Sequence, residues 1–194
     1  MSIPGIKHLT TFNFNYHLMI YEQVKSSILK SIAELNEKTN LSIDDKCKCS
    51  FYEQSLNILI ESTFLQLYAE LEETLYHECL KNEIQSGSGI KRFERALSNQ
   101  NYDTSQKNLL WVNLIFFSKV RNCLLHANGR LDIDKYPDEV RLAIKELNQN
   151  VSSEIIKIRH LKGHKEGTDK LNLTEDVLFV FGLICRNFIF SQNI

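Results

Sequence analysis

The feature that most constrains this fold is an apolar stripe at helical spacing, which runs from about residue 50 to about residue 82. Its members recur at every third or fourth position, at Leu56, Leu59, Ile60, Phe64, Leu67, Tyr68, Leu71, Leu75 and Cys79. This spacing puts them on one side of an α-helix. Ser50 and Glu53 have the form of a capping box, so we expect the helix to begin there. Such a long helix in a small chain is typical of the spine of an antiparallel bundle or of a dimer face.

Shorter stretches with the same spacing predict the remaining helices, over residues 16–37, 90–98 and 137–147, from a cap at residue 104 or 105 to residue 124, and from a cap at residue 174 to residue 190. Thr104 or Ser105 can cap the helix that carries residues 109–124, and Asn128-Gly129 can end it in a left-handed conformation. Pro137 suits the first turn of the next helix. With 194 residues, the chain has the length of one domain. We expect an N-terminal helical extension over residues 1–45 and a core over residues 50–190.

The periodicity changes near residue 153. Ile156 and Ile158 alternate with polar residues, residues 162–167 resemble a turn, and Leu171 and Leu173 alternate around Asn172. This pattern predicts a small β-hairpin near residues 153–173. The expected fold class is therefore all-α, an antiparallel helical bundle with one small hairpin.

Composition narrows the class of protein further. The net charge is −1, so any nucleic-acid contact must come from a local basic patch. Five cysteines at irregular spacing argue against a disulfide framework and favour the reducing cytoplasm. Cys47 and Cys49 are too close for a zinc knuckle and lack a matching downstream pair, so no metal and no cofactor are expected. Residues 1–11 lack a signal-peptide core, and no uncharged apolar run reaches the roughly 18 residues of a membrane span.

The candidate site is the segment from Arg121 to His126, at the end of the helix that Asn128-Gly129 terminates. It places a permanent cation, the amide of Asn122 and an imidazole close together, and these groups can bind a phosphate and transfer its protons. The same spacing recurs from Arg159 to His164, but that segment runs from a predicted strand into a turn and has no common face. In the first segment, Asn122 and His126 lie four residues apart and share one face of the helix.

A purely structural interpretation of the same residues is also available. His126 could donate to the last carbonyls of its helix and complement the helix dipole. Arg121 could pair with an acid such as Asp132. The residues alone do not separate this interpretation from a functional one.

The sequence Arg121-Asn122-Cys123-Leu124-Leu125-His126 resembles the Arg-polar-x-x-x-His motif of the HEPN superfamily (higher eukaryote and prokaryote nucleotide-binding). Ala127-Asn128-Gly129 after the motif is similar to many bacterial members. So are residues 67–72, Leu-Tyr-Ala-Glu-Leu-Glu, and residues 171–174 before the last helix. The resemblance covers most of residues 50–190, and the Arg-Asn-x3-His core is its specific part.

The resemblance implies an all-α bundle that forms a homodimer, with two copies of the motif facing one cleft. Active members are metal-independent endoribonucleases of toxin–antitoxin and anti-phage systems, so RNA and an antitoxin or defence protein are the expected partners. His126 would transfer protons, Arg121 would bind the phosphate, and Asn122 would orient the phosphate or the imidazole. A non-catalytic module of the same type, which binds a nucleotide or a protein, is the alternative.

Basic side chains that could guide RNA lie near the motif and in the second half of the chain. Six are expected to contact RNA: Lys119, Arg130, Arg159, His160, His164 and Lys165. Lys91, Arg92 and Arg95 on the short helix are further candidates. Trp111, Phe116 and Phe117 lie in the body of the motif helix, so we expect them in the core and not as stacking platforms for bases.

Overall fold

The fold is described from a computed structural model that covers residues 4–79, 84, 89–161 and 168–190. Within these ranges the helices are α1 (Pro4–Asn36), α2 (Ile43–Glu78), α3 (Glu94–Asn99), α4 (Leu109–Ala127), α5 (Pro137–Asn150) and α6 (Asp176–Phe190). A 3-10 turn, Ile90–Phe93, leads into α3. Strands β1 (Ile156–His160) and β2 (Asp169–Leu173) pair antiparallel. The prediction of a mostly helical chain with one small hairpin is confirmed.

Helix α2 begins at Ile43, so the prediction that Ser50 caps it is wrong. The capping box forms instead between Ser42 and Asp45: the Ser42 hydroxyl accepts from the Asp45 N–H at 3.1 Å, and the Asp45 carboxylate accepts from the Ser42 N–H at 3.2 Å. Lys38 donates to the same carboxylate at 2.6 Å. Because no Gly or Pro follows before residue 50, nothing interrupts the helix once Ser42 has started it.

Helices α1 and α2 lie antiparallel along most of their length. The Glu70 carboxylate accepts from Asn13 at 2.8 Å and lies 3.3 Å from Nε2 of His17, while the hydroxyls of Thr10 and Thr74 are 2.5 Å apart. Residue numbers therefore rise along α1 as those of their partners fall along α2, which is the order expected of antiparallel helices. Lys25 on α1 also donates to Glu175, just before α6, and Phe14 and Tyr21 of α1 belong to the buried core. The N-terminal segment is therefore packed onto the bundle by both polar and apolar contacts.

The centre of the core is a cluster of aromatic rings from three helices. The Phe181 ring on α6 lies 5.2 Å from Phe64 and 5.7 Å from Tyr68, both on α2, and 5.0 Å from Phe117 on α4. Trp111 stacks on Phe188 at 5.4 Å near one end of the core. Trp111 and Phe117 are fully buried, as predicted, and Phe116 packs against the core. These rings fix α2, α4 and α6 relative to one another.

Helix α4 begins and ends with local polar signals. Asn108 caps its start by accepting from the Leu110 N–H at 3.1 Å, so the expected cap at Thr104 or Ser105 is wrong. At the other end, Asn128 and Gly129 have φ values of 50° and 72°. The Gly129 N–H donates to the carbonyl of Cys123 at 3.0 Å, a Schellman-type closure that confirms the predicted stop.

The hairpin packs against the end of α4. The Leu171 N–H donates to the Gly129 carbonyl at 2.8 Å, and the Leu131 N–H donates to the Asp169 carbonyl at 2.8 Å. Arg130 forms an isolated bridge with Lys170 of β2. The sheet therefore lies beside the last turn of α4. None of the helices in the described ranges has the length and apolarity that a bilayer crossing requires.

Candidate functional site

Arg121 is held in place by three neighbours on α2 and α4. Its Nη2 donates to a Glu72 carboxylate oxygen at 3.2 Å, and its Nη1 donates to Oδ1 of Asn122 at 3.0 Å. The guanidinium carbon lies 5.5 Å from the centre of the buried Tyr68 ring. The Arg121 side chain is 26% exposed, so the cation still reaches solvent. A guanidinium fixed on one side and open on the other is suited to binding an anion in a defined orientation.

Glu72 links Arg121 to a second guanidinium. Its other carboxylate oxygen lies 3.6 Å from Nη2 of Arg92, and the Glu72 side chain is only 15% exposed. Among the described residues, Arg92 Nε is buried and has no hydrogen-bond partner. One carboxylate therefore faces two cations, so this cluster retains a net positive charge.

The amide of Asn122 connects Arg121 to a neighbouring cavity. A guanidinium can only donate hydrogen bonds, so the oxygen of Asn122 faces Arg121 and its Nδ2 donor points elsewhere. Asn122 also lines a cavity of about 230 Å³ between α4, the 3-10 turn and the start of α5. Arg121 and the cavity are thus joined through one amide.

Apolar side chains form the inner part of this cavity, and polar side chains form the rest of its lining. The apolar residues are Ile90, Ile115 and Val140, and the polar residues are Lys91, Ser118, Lys119, Asn122, Asp134, Tyr136 and Glu139. Lys119 is paired with Glu139, which keeps the pKa of that carboxyl below its ordinary value. Lys119 was predicted to contact RNA, and the structure instead places its ammonium against a carboxylate at the cavity.

His126 lies one turn beyond Asn122 on the same face of α4, and its side chain is exposed. Across the part of the chain that the structure describes, the imidazole takes part in no hydrogen bond or ion pair. It therefore does not bind the carbonyls at the end of α4, and the interpretation of His126 as a helix cap is wrong. Arg121 does pair with an acid, as that interpretation expected, but the acid is Glu72, at 3.2 Å, and not Asp132, which accepts from Arg130 at 2.5 and 3.1 Å.

Cys123 lies inside the motif but faces the core. It is fully buried, and burial, together with the nearby Asp134, raises the pKa of its thiol to about 12. The thiol is therefore protonated at neutral pH, and its role is packing. No group of three or more potential metal ligands occurs within the described ranges.

The hairpin brings three basic residues to one side of the sheet beside α4. Arg159 on β1 is directly opposite Lys170 on β2, and Lys170 bridges Arg130. Residues paired in an antiparallel ladder share a face, so the three cations form a row. Arg130 and Arg159 were predicted to bind RNA, which stays a prediction: Arg130 is paired with Asp132, and Arg159 is exposed. Lys170, whose ammonium lies 3.8 Å from Glu61, was not anticipated.

Of the three remaining predicted RNA contacts, one lies at the end of β1 and two lie outside the described residues. His160 ends β1, and its Nδ1 lies 3.5 Å from an Asp169 carboxylate oxygen. Arg141 donates to the other oxygen of Asp169 at 2.6 Å. His164 and Lys165 lie outside the described residues.

Sequence reasoning missed two contributors to the site, Glu72 and Lys170. The segment that contains Tyr68 and Glu72 carried part of the family resemblance, but nothing in the spacing placed it against Arg121. Comparison of the chain with protein-family models, curated proteins and solved structures found no match. Function is therefore inferred from the groups at the end of α4 and from the motif that contains them.

Proposed function

We propose that this chain is a metal-independent endoribonuclease whose bundle is of the HEPN type. It would cleave RNA through attack by the 2′-hydroxyl on the adjacent phosphate. The observation that carries the proposal is the exposed imidazole of His126, which has no hydrogen bond or ion pair among the described residues, on the helix that also presents Arg121. Glu72 and Asn122 already brace the Arg121 guanidinium.

Arg121 would bind the scissile phosphate. Charge builds up on the nonbridging oxygens during attack, and a fixed cation stabilises it without having to reorganise. Bracing by Glu72 removes rotamer freedom that would otherwise be lost on binding. The stacked Tyr68 ring adds a cation–π contact from below.

His126 would transfer the protons. As base, a neutral imidazole accepts the proton of the 2′-hydroxyl while the bond from the 2′-oxygen to phosphorus forms. The bond from phosphorus to the 5′-oxygen then breaks, and that oxygen takes a proton from an acid. The products are a 2′,3′-cyclic phosphate and a free 5′-hydroxyl, so neither water nor a metal is consumed or required.

A homodimer would supply the second proton-transfer group. Each chain has one copy of the motif, and residues five apart on a helix lie about 140° around its axis from one another. Arg121 and His126 therefore emerge on different sides of α4. Two copies facing each other would provide one imidazole as base and one as acid over the same phosphate.

The row formed by Arg130, Lys170 and Arg159 would bind the RNA backbone next to the cleavage site. Phosphate contacts of this kind position a strand without reading its sequence. Because the net charge of the chain is only −1, RNA would be attracted by a local row of cations and not by the charge of the whole protein.

We further propose that the nuclease acts on cytoplasmic RNA in growth arrest or anti-phage defence, under the control of an antitoxin or another defence protein.

The test is RNA cleavage by purified His126→Ala protein, with His77→Ala as the matched control. His77 is an exposed histidine on α2 that lies 3.7 Å from Glu73, away from the motif. We expect His126→Ala to cleave about 10²–10⁴-fold more slowly, and His77→Ala to cleave at the wild-type rate. Wild-type products should carry 2′,3′-cyclic phosphates, and EDTA should not slow the reaction.

Arg121→Lys tests the phosphate site separately. Lysine keeps the charge but cannot form two parallel hydrogen bonds to a phosphate, so we expect a loss of about 10²-fold. Wild-type cleavage rates in a folded His126→Ala or Arg121→Ala protein would contradict the mechanism.

A non-catalytic module is the second candidate, and the Glu72–Arg121 pair is the observation that favours it. The same pair could serve only to hold α2 against α4, while the chain binds a nucleotide or a protein partner. Expression in cells separates the two functions. A nuclease should slow growth, and His126→Ala should relieve the effect, whereas an adaptor should affect growth equally with and without His126.

A further inference from the structure

The cavity beside Asn122 is a separate feature of the site that the proposed chemistry does not use. Its volume of about 230 Å³ lies below the roughly 300–1,000 Å³ typical of pockets for drug-sized ligands. A space of this size suits one flat ring system. Ile115 and Val140 give it apolar surface, and the half-exposed ring of Tyr136 can stack on a bound base.

The polar groups of the cavity divide into donors and acceptors. Asn122 presents its Nδ2 donor, because its oxygen is occupied by Arg121. Lys91 has an exposed ammonium that forms no ion pair within the described ranges, although its charge helps to lower the pKa of the Glu139 carboxyl. Asp134 provides a carboxylate that accepts from the Tyr136 N–H at 2.7 Å and also contacts the Cys123 thiol, which leaves its remaining lone pairs for a ligand. A ligand that fits would offer acceptors toward Asn122 and Lys91 and donors toward Asp134.

We propose that this cavity binds the RNA base next to the scissile phosphate, and that it selects guanine. The Watson–Crick edge of guanine has two adjacent donors, the N1–H and the N2 amino group, which a carboxylate can accept as a pair. Its O6 and N7 are acceptors for lysine or amide donors. Adenine, cytosine and uracil each lack the adjacent donor pair, so none of them satisfies Asp134 in the same way.

The geometry of α4 connects the base to the chemistry. Ile115, Ser118 and Asn122 line the cavity at helical spacing, and His126 follows one turn later on the same face. Asn122 touches both the cavity and Arg121, so a nucleotide whose base occupies the cavity would have its phosphate near Arg121. This inference rests on the proposed function, because it starts from a phosphate bound at Arg121.

Titration of the full-length wild-type protein with the four nucleoside 3′-monophosphates, followed by calorimetry, tests the inference without requiring catalysis. We expect 3′-GMP to bind about tenfold more tightly than 3′-AMP, 3′-CMP or 3′-UMP. Asp134→Asn should abolish this preference, whereas Asp138→Asn should retain it. Asp138 is an exposed carboxylate in the first turn of α5 that does not line the cavity.

A second variant tests the cavity independently, in case Asp134→Asn does not fold. Tyr136→Ala removes an exposed side chain that can stack on any base, so all four nucleotides should bind about tenfold more weakly. Equal binding of the four nucleotides to the wild type, or a guanine preference that survives in folded Asp134→Asn, would overturn the inference.

The two proposals fail in different ways. If 3′-GMP binds selectively but RNA is not cleaved, the proposal of a base site is supported and that of a nuclease is contradicted. If RNA is cleaved by a His126-dependent reaction and the protein shows no preference for guanine, the nuclease is supported and the base site is contradicted.

Discussion

Glu72 on α2 accepts a hydrogen bond from Arg121 on α4 at 3.2 Å, and so connects the candidate catalytic cation to a second helix of the bundle. The carboxylate is mostly shielded from solvent, and its second oxygen faces Arg92. An ion pair of this kind removes rotamer freedom from the guanidinium before any ligand arrives. Glu72 therefore acts on the site through Arg121, as a positioning residue.

Glu72→Gln should lower the RNA cleavage rate about tenfold, because a neutral amide holds Arg121 less firmly and small misplacements of a phosphate-binding group are costly. The effect should appear mainly in kcat, since Arg121 keeps its charge for ground-state binding. Glu73→Gln, an exposed neighbour on the same helix, is the control and should leave the rate unchanged. A rate equal to or above that of the wild type in Glu72→Gln would show that the carboxylate only neutralises Arg121.

Substitution by alanine should have opposite effects on stability at two glycines, Gly129 at the left-handed end of α4 and Gly182 within α6. Gly129 has φ +72°, and a Cβ there would lie 3.3 Å from Leu124 Cδ2. Gly129→Ala should therefore destabilise the protein by about 1–2 kcal/mol. Gly182 has ordinary helical geometry, and its added Cβ would meet Phe14 at 3.8 Å. Gly182→Ala should stabilise the protein by up to about 1 kcal/mol. Urea denaturation of both variants measures the difference, and a stabilised Gly129→Ala would contradict the assignment.

The sequence predicts features whose causes are local. The end of α4 follows from Asn128 and Gly129, because a left-handed turn depends on the residues that adopt it. The hairpin follows from a change in period. The predicted start of α2 is wrong because two serines, Ser42 and Ser50, are each followed three residues later by an acidic residue, as in a capping box. The local sequence does not show which of the two caps the helix; in the structure it is Ser42, which gives the longer helix.

Contacts between distant segments could not be predicted in the same way. Helical spacing assigns Glu72 and Arg121 to faces of their helices, but it does not say which face of α2 meets α4. Lys170 meets Arg159 through the pairing of β1 with β2, whose register depends on which side of the sheet is buried, and meets Arg130 through an isolated bridge. The motif was therefore visible in the sequence, whereas the residues that brace it and extend it were not.

Phe181→Ala should be among the most destabilising single substitutions in the core, with a cost of about 3–5 kcal/mol. Its ring contacts those of Phe64, Tyr68 and Phe117, so its removal leaves a cavity between three helices. Phe179, on the same helix and about half exposed, provides the control. Chemical denaturation should show a much smaller loss for Phe179→Ala. Equal losses for the two variants would mean that α6 presents a different face to the core.

Asp169 predicts a pH dependence of stability at the hairpin. Arg141, which donates to it at 2.6 Å, and His160, 3.5 Å away, together hold the pKa of this carboxyl below its ordinary value of 3.8. A carboxyl whose pKa is lowered by folding stabilises the folded state when it is ionised, at pH values above its unfolded pKa. That contribution is lost as the pH falls through the lowered value, because protonation removes the charge that Arg141 binds.

Thermal unfolding between about pH 6 and about pH 2 measures this contribution, because the pH must fall through the lowered pKa of Asp169. Wild-type Tm should fall more steeply with acidification than that of Asp169→Asn, in which residue 169 cannot ionise, and the two curves should converge at the acidic end. Asp138→Asn, which removes an exposed carboxylate that forms no ion pair in the described part of the chain, should follow the wild-type curve. If Asp169→Asn instead keeps the full wild-type slope, the carboxylate does not stabilise the hairpin through Arg141, and the acid sensitivity has another origin in the bundle.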